Sequence, residues 1–143
     1  MNEDRIFLDT NVLVYAYDRT AGKKHHVAKN VVLDLWNTGN GVISTQVLQE
    51  FFVTVTRKIP NPLRAIDAKS IVVDFLKWTV AVSTGDVILD AIDLHLKHRF
   101  TFWDSMILAS ALAENCELLY SEDLQHGLVM EGITIKNPFQ LSA

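Results

Sequence analysis

With 143 residues, 49% of them hydrophobic and 21% charged, the chain has the makeup of one soluble globular domain spanning residues 1–143 and able to bury its own core. Thirteen Lys and Arg against seventeen Asp and Glu give a net charge of −4, which excludes a protein held on nucleic acid chiefly by a basic surface. It does not exclude a nucleic-acid enzyme whose carboxylates gather around a divalent cation. The longest apolar run, Val12–Tyr17, falls far short of the ~20 residues of a membrane span. The start Met1-Asn2-Glu3-Asp4 lacks the basic and apolar segments of a secretion signal. Cys116 is the only cysteine, which excludes an internal disulfide and a thiolate-held zinc. The expectation is a cytoplasmic protein that does not enter a membrane.

Arg5–Leu8 reads as a first, buried strand, and Thr10–Tyr17 as a short helix. Asp9 stands between them, where the strand should end. After a polar turn at Asp18–Gly22, His25–Trp36 has helical period, with Val27, Val31, Val32 and Leu35 on one face, stopped by the glycines near Asn40. Val42-Ile43 is a brief strand, and Ser44-Thr45 caps the next helix, Gln46–Lys58. There Val47, Leu48, Phe51, Phe52 and Val55 form the apolar stripe, with Glu50 on its flank. Pro60 and Pro62 end that helix. Ala65–Trp78 is expected to be helical and to bury Ile66, Ile71, Val72, Phe75 and Leu76 to differing degrees, and Thr79–Val82 alternates as a strand.

Ser83-Thr84-Gly85-Asp86 has the spacing of a capping box and starts a helix running to about His98. Its expected inward side chains are Leu89, Ile92, Leu96 and Val87. Ser105–Asn115 is apolar nearly all round, the mark of a central buried helix, with Asp104 opening it. Leu118–Tyr120 is a strand ending at Ser121-Glu122-Asp123, and a loop through Gly127 leads to a last strand, Ile133–Ile135. This alternation predicts an α/β fold of three layers, α/β/α, with a mostly parallel central sheet.

Taken singly, the acids have ordinary explanations. Asp9 and Asp104 suit helix N-termini, Glu50 suits a solvated helix flank, and Asp123 suits a turn. Jointly they are more telling. Asp9 and Asp123 follow strands, Glu50 lies in the helix after a strand, and Asp104 begins a buried helix, so all can face one crevice at the same sheet edge. Four carboxylates so placed repel one another unless a cation fills the site. Oxygen ligands without thiolate favour Mg²⁺ or Mn²⁺, which activates water and steadies both oxygens in a phosphodiester displacement. Thr10, Asn11 and Ser121 are then expected to aim the carboxylates.

Phe7-Leu8-Asp9-Thr10-Asn11-Val12-Leu13, Gln49-Glu50-Phe51-Phe52, the run from Trp103-Asp104-Ser105 to Ala111, and Ser121-Glu122-Asp123-Leu124 resemble, in order, the acidic motifs of PIN domains. They most resemble those of the VapC toxins of type II toxin–antitoxin systems. The resemblance implies an endoribonuclease dependent on Mg²⁺ or Mn²⁺, often a homodimer, silenced by a cognate antitoxin protein. It makes Asp9, Glu50, Asp104 and Asp123 the catalytic and metal-holding carboxylates, Asp9 and Asp104 as direct ligands and Glu50 and Asp123 through water. Ser121 matches the small hydroxyl of the last motif. Trp103 departs from the family pattern, and two readings stand for it: an indole that narrows the cleft, or one that stacks on a base. Lys24, His98 and Arg99 join Trp103 as candidate RNA contacts, against the plainer reading of a solvated basic surface.

Three rivals remain on sequence grounds. A phosphatase using Asp9 as nucleophile lacks the second acid, since Asn11 stands there, and has no obvious basic phosphate holder. A PIN-fold RNA-processing nuclease without an antitoxin keeps all the acids. So does a non-catalytic interaction module of the same fold. An exposed apolar face on the first two helices is expected to serve a dimer or an antitoxin.

Overall fold

The structure, a computed structural model, describes residues 4–140, so the acidic start Met1–Glu3 and residues 141–143 of the tail lie outside it. The strands are β1 (Ile6–Leu8), β2 (Gly41–Ser44), β3 (Thr79–Ala81), β4 (Leu118–Tyr120), β5 (Val129–Met130) and β6 (Ile133–Lys136). The helices are α1 (Thr10–Tyr15), α2 (Lys23–Thr38), α3 (Thr45–Arg57), α4 (Ala65–Phe75), α5 (Gly85–His98) and α6 (Phe102–Ala113), with one 3-10 turn at Arg19–Ala21. No helix among the described residues is long and apolar enough to cross a membrane.

The sheet order is β3-β2-β1-β4-β6-β5, parallel except where β5 runs against β6. The chain steps outward from β1 to β2 to β3 through α1 to α4, then reverses across the sheet to β4 through α5 and α6. Right-handed crossovers in opposite directions put their helices on opposite faces, which produces the α/β/α layering expected from the sequence. They also leave a switch point at the carboxyl ends of the adjacent strands β1 and β4, where such sheets open a crevice.

Burial of Phe7 and Leu8, Val42 and Ile43, and Leu119 against both helical layers holds the sheet. The buried run Ser105–Ala111 makes α6 the central helix that its composition predicts. In α3, Val47, Leu48, Phe51 and Val55 are buried, as their spacing demands. In α2 the buried residues are Ala28, Val32 and Leu35, while Val27 and Val31 are half-buried. Gly39 closes α2 in the left-handed conformation, donating its N–H to the Leu35 carbonyl at 2.9 Å.

Several expectations fail for identifiable reasons. In α5 the buried side chains are Val87, Ala91 and Leu94, whereas Leu89, Ile92 and Leu96 are exposed. The packed face of α5, which lies against α6, centres on the fully buried Ala91 with Val87 and Leu94, and the larger aliphatics project elsewhere. Its N-cap is Thr84, whose hydroxyl accepts from Val87 N at 3.3 Å, one residue later than the Ser83-led box predicts. Helix α4 ends at Phe75 and leaves Ile66 and Leu76 exposed. The short strand β5 lies in the stretch read as loop. Helix α1 buries Val12, Leu13 and Val14, so the apolar surface of the first two helices reduces to Leu33 and Trp36 of α2.

Gly41 shows how tightly one edge is packed. A Cβ there would lie 2.5 Å from the Trp78 ring, which is wedged edge-on against Trp36 and Phe75. Gly41→Ala is therefore expected to destabilise the protein by about 1–3 kcal/mol through overpacking. Chemical denaturation reads this directly, and an unchanged midpoint would show that the aromatic cluster yields freely.

Candidate active site

Asp9, Glu50, Asp104 and Asp123, drawn from distant parts of the chain, line one cleft of about 700 Å³. It opens at the carboxyl ends of β1 and β4 and runs between two helical walls. From α3 come Gln46, Glu50, Val53, Thr54 and, at its C-cap, Lys58, and from α6 come Trp103, Asp104 and Ile107.

Asp9 is the fixed point. Its backbone N–H continues the ladder by donating to Tyr120 O at 3.0 Å, and its side chain is only 6% exposed. Oδ1 accepts from Thr10 N at 2.7 Å as the N-cap of α1, and Oδ2 accepts from the Ser121 hydroxyl at 2.8 Å. The capping reading and the site reading of Asp9 are thus compatible: one oxygen edge caps the helix while the residue sits in the crevice. Burial pushes its carboxyl up to about 6, against the pull of the Ser121 and Thr10 hydrogen bonds, and the charges of Asp123 and Glu50 push the same way as burial.

Thr10 and Asn11 belong to the first turn of α1 and reach different carboxylates. The Thr10 hydroxyl donates to Glu50 Oε1 at 2.7 Å, and Asn11 Nδ2 donates to Asp123 Oδ2 at 3.0 Å. Asn11 Oδ1 also accepts from Glu122 N at 3.2 Å, and the fully buried Ser121 hydroxyl accepts from Asp123 N at 3.1 Å. Thr10, Asn11 and Ser121 therefore each hold a different carboxylate. Asp104 stands in the first turn of α6, which Thr101 caps by accepting from Asp104 N at 3.1 Å. Among the described residues its carboxylate has no hydrogen-bond donor.

The donor set is all oxygen, which suits a hard divalent cation. Gln46 adds to it: its side chain is buried on the cleft wall, and its Oε1 has no hydrogen-bond partner. Among the described residues no three acidic, imidazole or thiol groups already converge as a ligand cluster. An ion would draw the more exposed carboxylates toward the fixed Asp9. Cys116 is buried away from the cleft, and burial pushes its thiol up to about 12, so it serves packing and not nucleophilic chemistry.

Of the candidate RNA contacts, only Trp103 lines the cleft, and the residue is 62% exposed. Lys24 pairs with Glu122 and lies over the Tyr15 ring. His98 shares Glu131 with Lys97, and Arg99 is the exposed left-handed C-cap of α5. Sequence reasoning missed Gln46, Asp18 and Lys58 in the lining. For Gln46 and Lys58 the signal was the repeat of four along α3 that passes through Glu50.

A three-layer fold with an acid-lined crevice at the switch point of a parallel sheet defines a narrow class. A sequence model of the PIN domain matches residues 6–128, and the chain belongs to that family. Its fold is similar to VapC20 of Mycobacterium tuberculosis, described as a sarcin–ricin loop cleaving toxin, at 21% identity and TM-score 0.64 over 82% of this chain and 89% of that one. It is similar also to a toxin–antitoxin complex from Klebsiella pneumoniae (19% identity, TM-score 0.67, 93% and 97% covered). VapBC2 of Rickettsia felis, solved with a fragment of its promoter DNA, gives 18% identity and TM-score 0.62 over 92% and 97%. No curated protein matches the sequence.

Proposed function

We propose that this PIN-domain protein is a metal-dependent endoribonuclease, Asp9, Glu50, Asp104 and Asp123 being its catalytic carboxylates, and the toxin of a toxin–antitoxin pair. The observation that carries the reading is the convergence of these acids on one cleft, three of them each held by a hydroxyl or amide from Thr10, Asn11 or Ser121. Such orienting contacts are what ligating carboxylates need and what solvated surface acids lack. Asp9 and Asp104 would hold Mg²⁺ or Mn²⁺ directly, aided by Glu50 and Asp123, and the ion would activate water and neutralise charge on the phosphodiester. The buried Asp9 supplies the fixed geometry, while Thr10 and Asn11 orient Glu50 and Asp123 in the same cleft. The toxin reading draws on the solved relatives, two of which are toxin–antitoxin complexes.

Exposed apolar surface supports the protein partners. Leu48, Phe52, Val53 and Val72 line a groove of about 410 Å³ between α3 and α4, and Ile66 and Val73 of α4, its C-cap Leu76, and Leu89 and Leu96 of α5 are exposed. An antitoxin segment and a second copy of the chain would each cover one such face.

The test is cleavage of a mixed pool of structured cellular RNAs by purified protein in Mn²⁺, Mg²⁺ or EDTA. Cutting is expected with either ion and none in EDTA. Cutting undiminished by EDTA would sink the metal reading. Intact RNA in both ions, from protein shown to bind Mn²⁺, would favour the interaction module.

A further inference from the structure

The lining of the cleft also has a chemistry that the carboxylates do not explain. It carries five acids, since Asp18 joins the other four, and one Lys or Arg side chain, Lys58. That cation makes no ion pair among the described residues, despite the acids lining the same cleft. Its place explains why: it is the C-cap of α3, two further turns past Glu50, or about 12 Å along the helix axis. Across the cleft, Trp103 stands beside Asp104 at the start of α6, one turn from Ile107, with its indole largely in solvent. Val53, Ile59 and Pro60 add an apolar wall near Lys58. An unpaired cation, a largely exposed indole whose one ring contact among the described residues is edge-to-face with Phe102, and apolar walls, all continuous with an acidic site, match the phosphate and the base of a nucleotide.

We propose that Trp103 and Lys58 form a subsite for a nucleotide adjoining the bond cut, the indole stacking on an unpaired base and the Lys58 ammonium meeting a phosphate. The inference rests on the nuclease reading and deepens it by assigning two specificity-determining residues. A base buried in a duplex already has both faces stacked, so this subsite selects single-stranded stretches. Lys58 provides attraction where the polyanion would otherwise meet only carboxylates. It is also too far along α3 to neutralise the acids beside Asp9.

The experiment is titration of a short, mixed-sequence single-stranded RNA carrying fluorescein, in EDTA so that nothing is cut, followed by anisotropy and by tryptophan emission. Binding should quench the emission, and Trp103→Phe should remove the quench, although Trp36 and Trp78 remain. Trp103→Ala should weaken binding about ten-fold, the usual loss of one stacked base. Lys58→Ala should weaken it and flatten the slope of log affinity against log salt by about 0.7, one phosphate on a single strand. Lys58→Arg should restore that slope. The matching RNA duplex should bind more weakly than the single strand and leave the emission unchanged.

Wild-type affinity in both alanine variants, or a quench that persists in Trp103→Phe, overturns the subsite. The wild type would still cut RNA with Mn²⁺ if the nuclease reading holds, so the two failures are distinguishable. Unchanged RNA binding by Trp103→Ala would overturn the stacking and leave the indole as a rim that narrows the cleft. A wild type that neither binds nor cuts RNA overturns both readings.

Discussion

Metal-free Asp9→Asn protein should melt higher than the wild type at pH 7.5, by roughly 5 °C for a protein of this size. Burial has raised the Asp9 carboxyl from 3.8 to about 6, so the folded chain binds this proton more tightly than the unfolded chain does. Well below pH 3.8 both states are protonated and no penalty exists. As pH rises from about 4 to about 6 the unfolded state ionises first, and folding stability falls. Above the folded value the full penalty, about 3 kcal/mol, is present. An Asn removes it but turns one amide edge toward a donor, Thr10 N or the Ser121 hydroxyl, which returns about 1 kcal/mol. The gain should therefore be absent near pH 4, grow through pH 5 and 6, and stay level beyond. Thermal melts in EDTA at those pH values decide it. A gain of equal size at every pH would mean that the effect is packing and not charge. Mn²⁺ should reverse the order: at a hundred times its dissociation constant it stabilises the wild type by about 2.7 kcal/mol and leaves Asp9→Asn nearly untouched.

The same residue shows what could be read from sequence and what could not. Asp9 at the end of an apolar run, in a chain of alternating strands and helices, suffices to place it at a sheet edge, because parallel topology leaves few alternatives. The acids Glu50, Asp104 and Asp123 follow by the same logic, and they share the cleft. The face of α5 did not follow. Val87, Ile88, Leu89, Ala91, Ile92, Leu94 and Leu96 surround most of that helix, so apolar period alone selects no side. The packed face centres on the fully buried Ala91, a residue that hydrophobicity undervalues. The strand β5 is two residues long and has no alternation to detect. Lys24, His98 and Arg99 illustrate a third limit. A basic cluster with rings reads alike whether it faces a cleft or pairs with Glu122 and Glu131, and only the tertiary arrangement separates the cases. Lys58 was overlooked because it closes a helix, where a cation has an ordinary place beside the last carbonyls.

Asp104→Asn and Ser121→Ala should separate holding a metal from aiming its holder. The Asp104 carboxylate accepts no hydrogen bond among the described residues, so its amide loses only a favourable contact with the start of α6, about 0.5 kcal/mol. Its stability change is thus small and opposite in sign to that of metal-free Asp9→Asn. Its RNA cleavage should nevertheless fall by more than about a hundred-fold, the upper range for loss of an orienting partner, because it would remove a direct ligand. Ser121→Ala should lower cleavage by about 10–100-fold and act through Asp9. Without the Ser121 hydroxyl, Asp9 Oδ2 loses the hydrogen bond that pulls its proton affinity down, so the carboxyl rises further. The pH at which cleavage sets in should then move upward in Ser121→Ala, and Ser121→Thr should restore it if the added methyl fits that buried site. Asp104→Asn should keep the wild-type onset in whatever activity remains. Initial rates against pH at limiting Mn²⁺, where proton and metal compete for Asp9, with folding checked by circular dichroism, make the comparison. A Ser121→Ala profile lowered in amplitude but unmoved in pH would leave Ser121 as a fastener of the Asp123 loop, through Asp123 N and Leu124 N, with no part in tuning Asp9.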